Sequence, residues 1–158
     1  MKILILCTGN SCRSQMAEGF LKSIGKDLEV FSAGTKPTGK INEKAIQVMK
    51  EVNIDISKNT SDSVEKYLNQ EWDYVITVCD GAKEDCPFFS GKVENRLHFG
   101  FSDPSEFIGS EEEIMKEFRR VRLQIKNKFF SFYLSEIVGI DMPTCECSCS
   151  DCSSDCNS

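Results

Sequence analysis

The chain holds a single histidine, His98, among 158 residues. A zinc site built on several histidines is therefore excluded, and any Cys–His or Ser–His–Asp chemistry would have to use that one ring. Long hydrophobic runs are also missing. Nothing approaches the roughly 18 apolar residues that cross a bilayer, so no membrane partner is expected. Positive charge is scarce: 19 Lys and Arg stand against 25 Asp and Glu, a net charge of −6. Nucleic-acid binding wants a basic face, so no nucleic-acid partner is expected, and attraction for a small anion must be local. With 40% hydrophobic and 28% charged residues the composition is that of an ordinary globular protein. The length suffices for one domain with a sizeable core. Nothing suggests more than a monomer.

Cysteine is what the chain has in excess, with nine residues. Four lie in the body (Cys7, Cys12, Cys79, Cys86) and five crowd the end (Cys145, Cys147, Cys149, Cys152, Cys156). The first of them opens the most informative stretch, Cys7-Thr8-Gly9-Asn10-Ser11-Cys12-Arg13-Ser14, directly after the apolar run Ile3-Leu4-Ile5-Leu6. This is a Cys-x5-Arg-Ser loop between a buried strand and a helix. Such a loop aims backbone N–H groups inward, and the helix behind it adds its positive end, which together suit a tetrahedral oxyanion. Arg13 brings a planar fork for two oxygens. Cys7 sits at the centre of that field, which is expected to lower its pKa and keep it as thiolate. Ser14 is placed to donate to the Cys7 sulfur. A lone Cys after a strand is more often a buried small hydrophobe; here strand, small residues, Arg-Ser and helix coincide. A removable signal peptide would take Cys7 with it, so a cytoplasmic protein is expected. In that reducing compartment the cysteines read as catalytic, redox-active or metal-binding rather than as structural disulfides.

The rest of the chain alternates strand and helix signals. Strands are predicted over 2–6, 28–32, 73–78 and 95–99. Helices are predicted over 14–24, from Asn42 to about residue 52, from Ser61 to about 68, and from Ser110 to about 135, by apolar spacing and caps. The fold class is α/β: a four-stranded parallel sheet with helices on both faces. Ligands then bind at the carboxyl ends of the strands, where Cys7 and Cys79 both fall. Residues 1–140 form the predicted catalytic domain. Residues 141–158 hold the five late cysteines with almost no large apolar side chain, and read as a flexible tail.

Further chemistry-bearing residues lie outside the loop. Asp103-Pro104 is a common turn, yet a carboxylic acid there is also positioned to protonate an oxygen leaving the loop. Cys79 and Cys86 would stand two turns apart, about 10 Å, on a continuous helix. A disulfide needs Cα atoms within roughly 7 Å, so the pair bonds only if that helix unwinds, which Gly81 and Pro87 favour. Asn10 suits a left-handed loop conformation. Glu18, Ser32 and Asp62 are candidates for shaping the loop or holding a cation against it, although surface and capping roles serve as well.

The segment at 7–18 resembles the thioredoxin-coupled arsenate reductases, which share the low-molecular-weight tyrosine phosphatase fold. Phe31-Ser32-Ala33-Gly34, Asn59-Thr60-Ser61-Asp62, Val78-Cys79 through Cys86-Pro87, and His98 through Pro104 extend the resemblance over about residues 1–135. It implies a relay. Cys7 attacks arsenate held by Thr8 to Ser14, Asp103 protonates the departing oxygen, Cys79 displaces arsenite, and Cys86 draws the disulfide outward for thioredoxin. It also implies a potassium ion at Asn10, Glu18, Ser32 and Asp62, with no other cofactor. Two alternatives stand beside it. One is a low-molecular-weight protein tyrosine phosphatase. Those typically carry Pro after Arg-Ser and an aromatic residue after Asp-Pro, where this chain has Gln15 and Ser105, and they have no use for Cys79 and Cys86. The other is arsenite or soft-metal binding by the tail thiols.

Overall fold

The computed structural model describes residues 1–84 and 86–140, so the predicted tail lies outside the described residues. Four parallel strands, β1 (Lys2–Cys7), β2 (Glu29–Gly34), β3 (Trp72–Thr77) and β4 (Val93–His98), lie in the order β2-β1-β3-β4. Each begins or ends within two residues of its expected bounds. The helices are α1 (Arg13–Ile24), α2 (Glu43–Lys50), α3 (Asp80–Glu84) and α4 (Glu111–Phe132). A six-residue π-helix, Tyr133–Val138, continues α4 and ends at Gly139, which adopts a left-handed φ of 83°. Among the described residues no helix is long and apolar enough to cross a membrane.

The central strand explains the sheet's position. Ile3, Leu4, Ile5 and Leu6 have no exposure at all, so both faces of β1 are covered, as a parallel sheet requires. On one face Tyr74 packs edge-on against Phe132 of α4. Phe31 shares a register line with Leu4 and so points to the other face. There it meets Tyr67, from a short 3-10 helix at Val64–Tyr67.

Two helix expectations change. Asn42 caps α2 as predicted, accepting from Lys44 N and Ala45 N, but the helix expected from Ser61 to about 68 is reduced to the 3-10 turn at Val64–Tyr67. Asp62 N donates to Asn10 Oδ1 at 2.9 Å, and Gly34 N donates to Asp62 O at 2.8 Å. These bonds keep 61–62 off a helical path and move the cap to Ser63, whose Oγ accepts from Glu65 N. After Cys79, only Asp80–Glu84 is helical, so Cys86 lies beyond the helix rather than two turns along it.

Candidate active site

β1 delivers Cys7 to the carboxyl edge of the sheet, and α1 begins at Arg13. The loop between them is held from outside by its carbonyls. Those of Cys7, Thr8, Gly9 and Ser11 accept from Thr35 N, Lys36 N, Thr38 N and Asn42 N at 2.8–3.1 Å. In a trans peptide the N–H points opposite the C=O, so the N–H groups of those same peptides face the loop's interior. Gly34 permits the close approach: a Cβ there would stand 2.5 Å from Thr8 O.

Asn10 locks the loop's centre. It is fully buried with a left-handed φ of 49°. Its Nδ2 donates to Ser14 Oγ at 2.9 Å and its Oδ1 accepts from Asp62 N. Gln15 Nε2 bridges Asn10 O and Thr60 O. The left-handed conformation expected of Asn10 is present, and its amide donates to the Ser14 hydroxyl, which keeps its own O–H to donate.

Arg13 is placed as an oxyanion clamp. One terminal nitrogen donates to Phe101 O at 3.0 Å, and the other lies 3.3 Å from Asp103 Oδ2. Its Nε is buried with no hydrogen-bond partner among the described residues. The other oxygen of Asp103 accepts from Ser105 N and Ser105 Oγ at 2.9 and 2.6 Å. The turn and the acid are therefore not rival readings: the turn is what holds the carboxyl group beside Arg13.

Cys79 follows β3 and is buried. Its sulfur lies 3.3 Å from Thr8 Oγ1 and close enough to the Cys7 side chain to act on its proton. That contact, and then burial, hold the Cys7 thiol above its ordinary pKa, while Arg13 and the Thr8 N–H pull the other way. The sequence predicts a thiolate at Cys7. In the fold a second thiol beside it opposes that ionisation. Cys12 is buried and pushed up as well, first by burial and then by Asp103. Cys86 is half-buried; burial raises it against the opposing pull of Arg96.

Of the four residues read as a potassium site, Glu18, Ser32 and Asp62 line one polar hollow of about 230 Å³. Ser32 Oγ donates to Glu18 Oε2 at 3.1 Å. Asn10 joins them through Asp62 N, with its side-chain oxygen already engaged. Hydroxyl and carboxylate oxygens suit a hard cation. Two ammonium groups stand there too: Lys22 Nζ is 3.0 Å from Glu18, and Lys66 Nζ is 3.9 Å from Asp62. A cation held by these carboxylates would have to displace them.

Sequence reasoning gave His98 no role, yet its ring joins the last residue of β3 to the first residue of α3, through Thr77 and Asp80. The available signal was its place at the carboxyl end of a strand.

The family profile of low molecular weight phosphotyrosine protein phosphatase matches residues 2–137. The chain belongs to this family. Within it, an arsenate reductase from Halalkalibacterium halodurans is 46% identical over 131 residues, covering 82% of this chain and 93% of that protein. A solved arsenate reductase in the oxidized state shares 34% identity with a TM-score of 0.69, covering 81% of this chain and 92% of that one. A thioredoxin-dependent arsenate reductase from Corynebacterium glutamicum shares 28% identity with a TM-score of 0.57 over 85% of this chain and 63% of the other. The family match ends at residue 137, before the five late cysteines.

Proposed function

We propose that this chain reduces arsenate to arsenite by a three-cysteine relay and is regenerated by thioredoxin. The observation that carries this reading is the second thiol at the nucleophile: Cys79 is buried just after β3 with its sulfur 3.3 Å from Thr8 Oγ1, the residue next to Cys7 in the oxyanion loop. Hydrolysis needs one nucleophile; reduction of arsenic needs a second thiol to take the first one's sulfur. Relatives named as arsenate reductases support it, and the Corynebacterium protein's thioredoxin dependence supports the choice of reductant.

The steps balance as follows. Arsenate enters among the inward N–H groups and the Arg13 donors. The Cys7 thiolate attacks arsenic, an S–As bond forms, and one oxygen leaves as water with a proton from Asp103. The Cys79 thiolate then attacks the Cys7 sulfur. The S–As bond breaks and its electron pair stays on arsenic, which falls from As(V) to As(III) and leaves as arsenite. Cys86 attacks Cys79, releasing Cys7 and forming the Cys79–Cys86 disulfide. A thioredoxin dithiol reduces that bond by exchange. Arg13 stabilises the oxyanion throughout.

All of these groups come from one chain, so a monomer suffices. A thioredoxin-coupled cycle belongs in the cytoplasm. When a potassium ion is bound, Glu18, Ser32 and Asp62, tied to the loop by Asn10, would hold it, and its charge would stiffen the loop from behind. The late cysteines lie outside the described residues and beyond the family match. Their thiols suit arsenite or another soft ion, and the relay above does not need them.

A second reading, phosphate-ester hydrolysis, is favoured by the same loop and by the family, because phosphate and arsenate share shape and charge. Arsenate-dependent NADPH consumption with thioredoxin and thioredoxin reductase, run beside p-nitrophenyl phosphate hydrolysis, separates the two. Rapid consumption that Cys79→Ser removes supports the reductase. Fast ester hydrolysis that survives Cys79→Ser, with no NADPH consumption, makes the chain a phosphatase.

A further inference from the structure

The relay makes no use of the chain's single histidine, yet the fold gives it two defined partners. His98 ends β4; its Nδ1 lies 2.7 Å from Thr77 Oγ1 and its Nε2 lies 3.1 Å from Asp80 Oδ1. A carboxylate only accepts, so Nε2 carries a proton and donates it to Asp80. One end of the ring is thus fixed on the last residue of β3. The other end holds the first residue of α3, directly after Cys79. Gly100 leaves room for the pair: a Cβ there would come within 3.3 Å of His98 Nε2 and 3.8 Å of Asp80 Oδ1.

α3 cannot sustain itself. Its five residues make little more than one turn, far below the length at which a helix stands alone in water. Gly81 weakens it by about 1 kcal/mol relative to alanine. That glycine is required by packing, since a Cβ would meet Thr8 Oγ1 at 2.8 Å. Tertiary contacts therefore hold α3 in place, and the Asp80–His98 bond is the side-chain tie at its first residue, directly after Cys79. Cys86 lies beyond the end of α3, so this short helix stands in the chain between the two sulfurs that the relay joins.

We propose that His98 is a positioning residue for the second and third thiols: it pins Asp80, and with it the start of α3, so that Cys79 faces Cys7, and its release of Asp80 frees Cys79 to reach Cys86. This rests on the relay reading above. Holding Asp80 favours the first disulfide, and letting it go favours the second. Removing the tether must therefore move the two steps in opposite directions, which a general loss of structure does not do.

The test is a single turnover of the full-length protein with arsenate, quenched by an alkylating agent, with disulfides mapped over time by mass spectrometry. Wild type, His98→Phe, Asp80→Ala and Asp80→Asn are compared. The Asp80 side chain is 88% exposed, so its truncation leaves the core intact. In His98→Phe and Asp80→Ala, Cys7–Cys79 formation is expected to slow about 3- to 10-fold while transfer to Cys79–Cys86 quickens by a similar factor, the scale of one lost hydrogen bond. Asp80→Asn keeps an acceptor for Nε2–H and should restore both rates most of the way. Amide exchange at 80–84 in the reduced protein without arsenate should quicken in the first two variants and stay near wild type in the third. Equal slowing of both steps, or no change in either, overturns the positioning role while leaving the relay. A wild-type protein that forms no arsenate-dependent Cys7–Cys79 disulfide overturns the relay itself, and the positioning role falls with it.

Discussion

The loop at 7–13 and the segment from Cys79 to Cys86 both bring cysteines to the carboxyl edge of the sheet, yet they are held in different ways. The loop is tied on every side: four carbonyls bond outward, Asn10 is buried with both ends of its amide engaged, and Gln15 bridges two segments. The later segment hangs on one short helix, a glycine pressed against Thr8, and a histidine bonded to an exposed carboxylate. A site that must recognise a tetrahedral anion gains from donors fixed before the substrate arrives. A sulfur that must visit two partners gains from a weak mooring. The difference teaches which part of the relay is scaffold and which part moves.

The comparison breaks completely at Cys7. Cys7→Ser is expected to abolish arsenate reduction and p-nitrophenyl phosphate hydrolysis together, since both start from this sulfur; retention of either activity would place the nucleophile elsewhere. Cys86→Ser strikes only the moving region. One arsenite per chain should appear in a burst, followed by a stall, while p-nitrophenyl phosphate hydrolysis by the reduced protein without arsenate is retained. Sustained turnover with thioredoxin would mean that another thiol resolves the disulfide, with those of the tail the first to examine.

Smaller effects sharpen the contrast. Asp103→Ala removes the acid from the fixed side, and a loss of about 10²-fold or more in the first chemical step is expected. Stopped-flow measurement of that step at neutral pH would show it, and an unchanged rate would reduce Asp103 to a turn residue. Remote from both regions, Glu51 receives Arg119 and Arg122 at 2.8–3.0 Å. Its carboxyl is held down to about 2, first by the Arg119 hydrogen bonds and then by those of Arg122. The folded value is depressed, so the stability it adds is present above the unfolded value of about 4.3 and is lost as pH falls toward 2. Because the pair is exposed to solvent, Glu51→Gln should lower Tm by no more than about 3 °C at pH 7. That difference should shrink in thermal melts below pH 4, with neither activity altered. Deleting residues 144–158 should change least of all: thioredoxin-driven turnover is expected to stay within about twofold of the full chain, because the family match ends at residue 137. Lost turnover would make the tail part of the relay.

Much of this was legible in the residues alone. The apolar run 3–6, the Cys-x5-Arg-Ser spacing and the cap at Asn42 each carry a local cause, and each appears where the pattern puts it. The helix expected from Ser61 is cut short because its competitors are distant in sequence: Asn10 and Gly34 claim the backbone of Asp62. The upward pull on the Cys7 thiol was out of reach for the same reason, since the second thiol beside it lies 72 positions away at Cys79. The contact of Asp103 with Arg13 could not be read from the sequence because it spans 90 positions.

The sequence by itself determined the strand–loop–helix unit around Cys7 and the parallel α/β order, because local periodicity, turn chemistry and spacing are written along the chain. Only the tertiary structure decided that Cys79 lies beside the oxyanion loop at Thr8, that Arg13 leans on Asp103, that Asn10 anchors the loop to Asp62, and that His98 bonds the first residue of α3. Each of those depends on where the sheet brings separate strand ends together, and no local pattern encodes that distance.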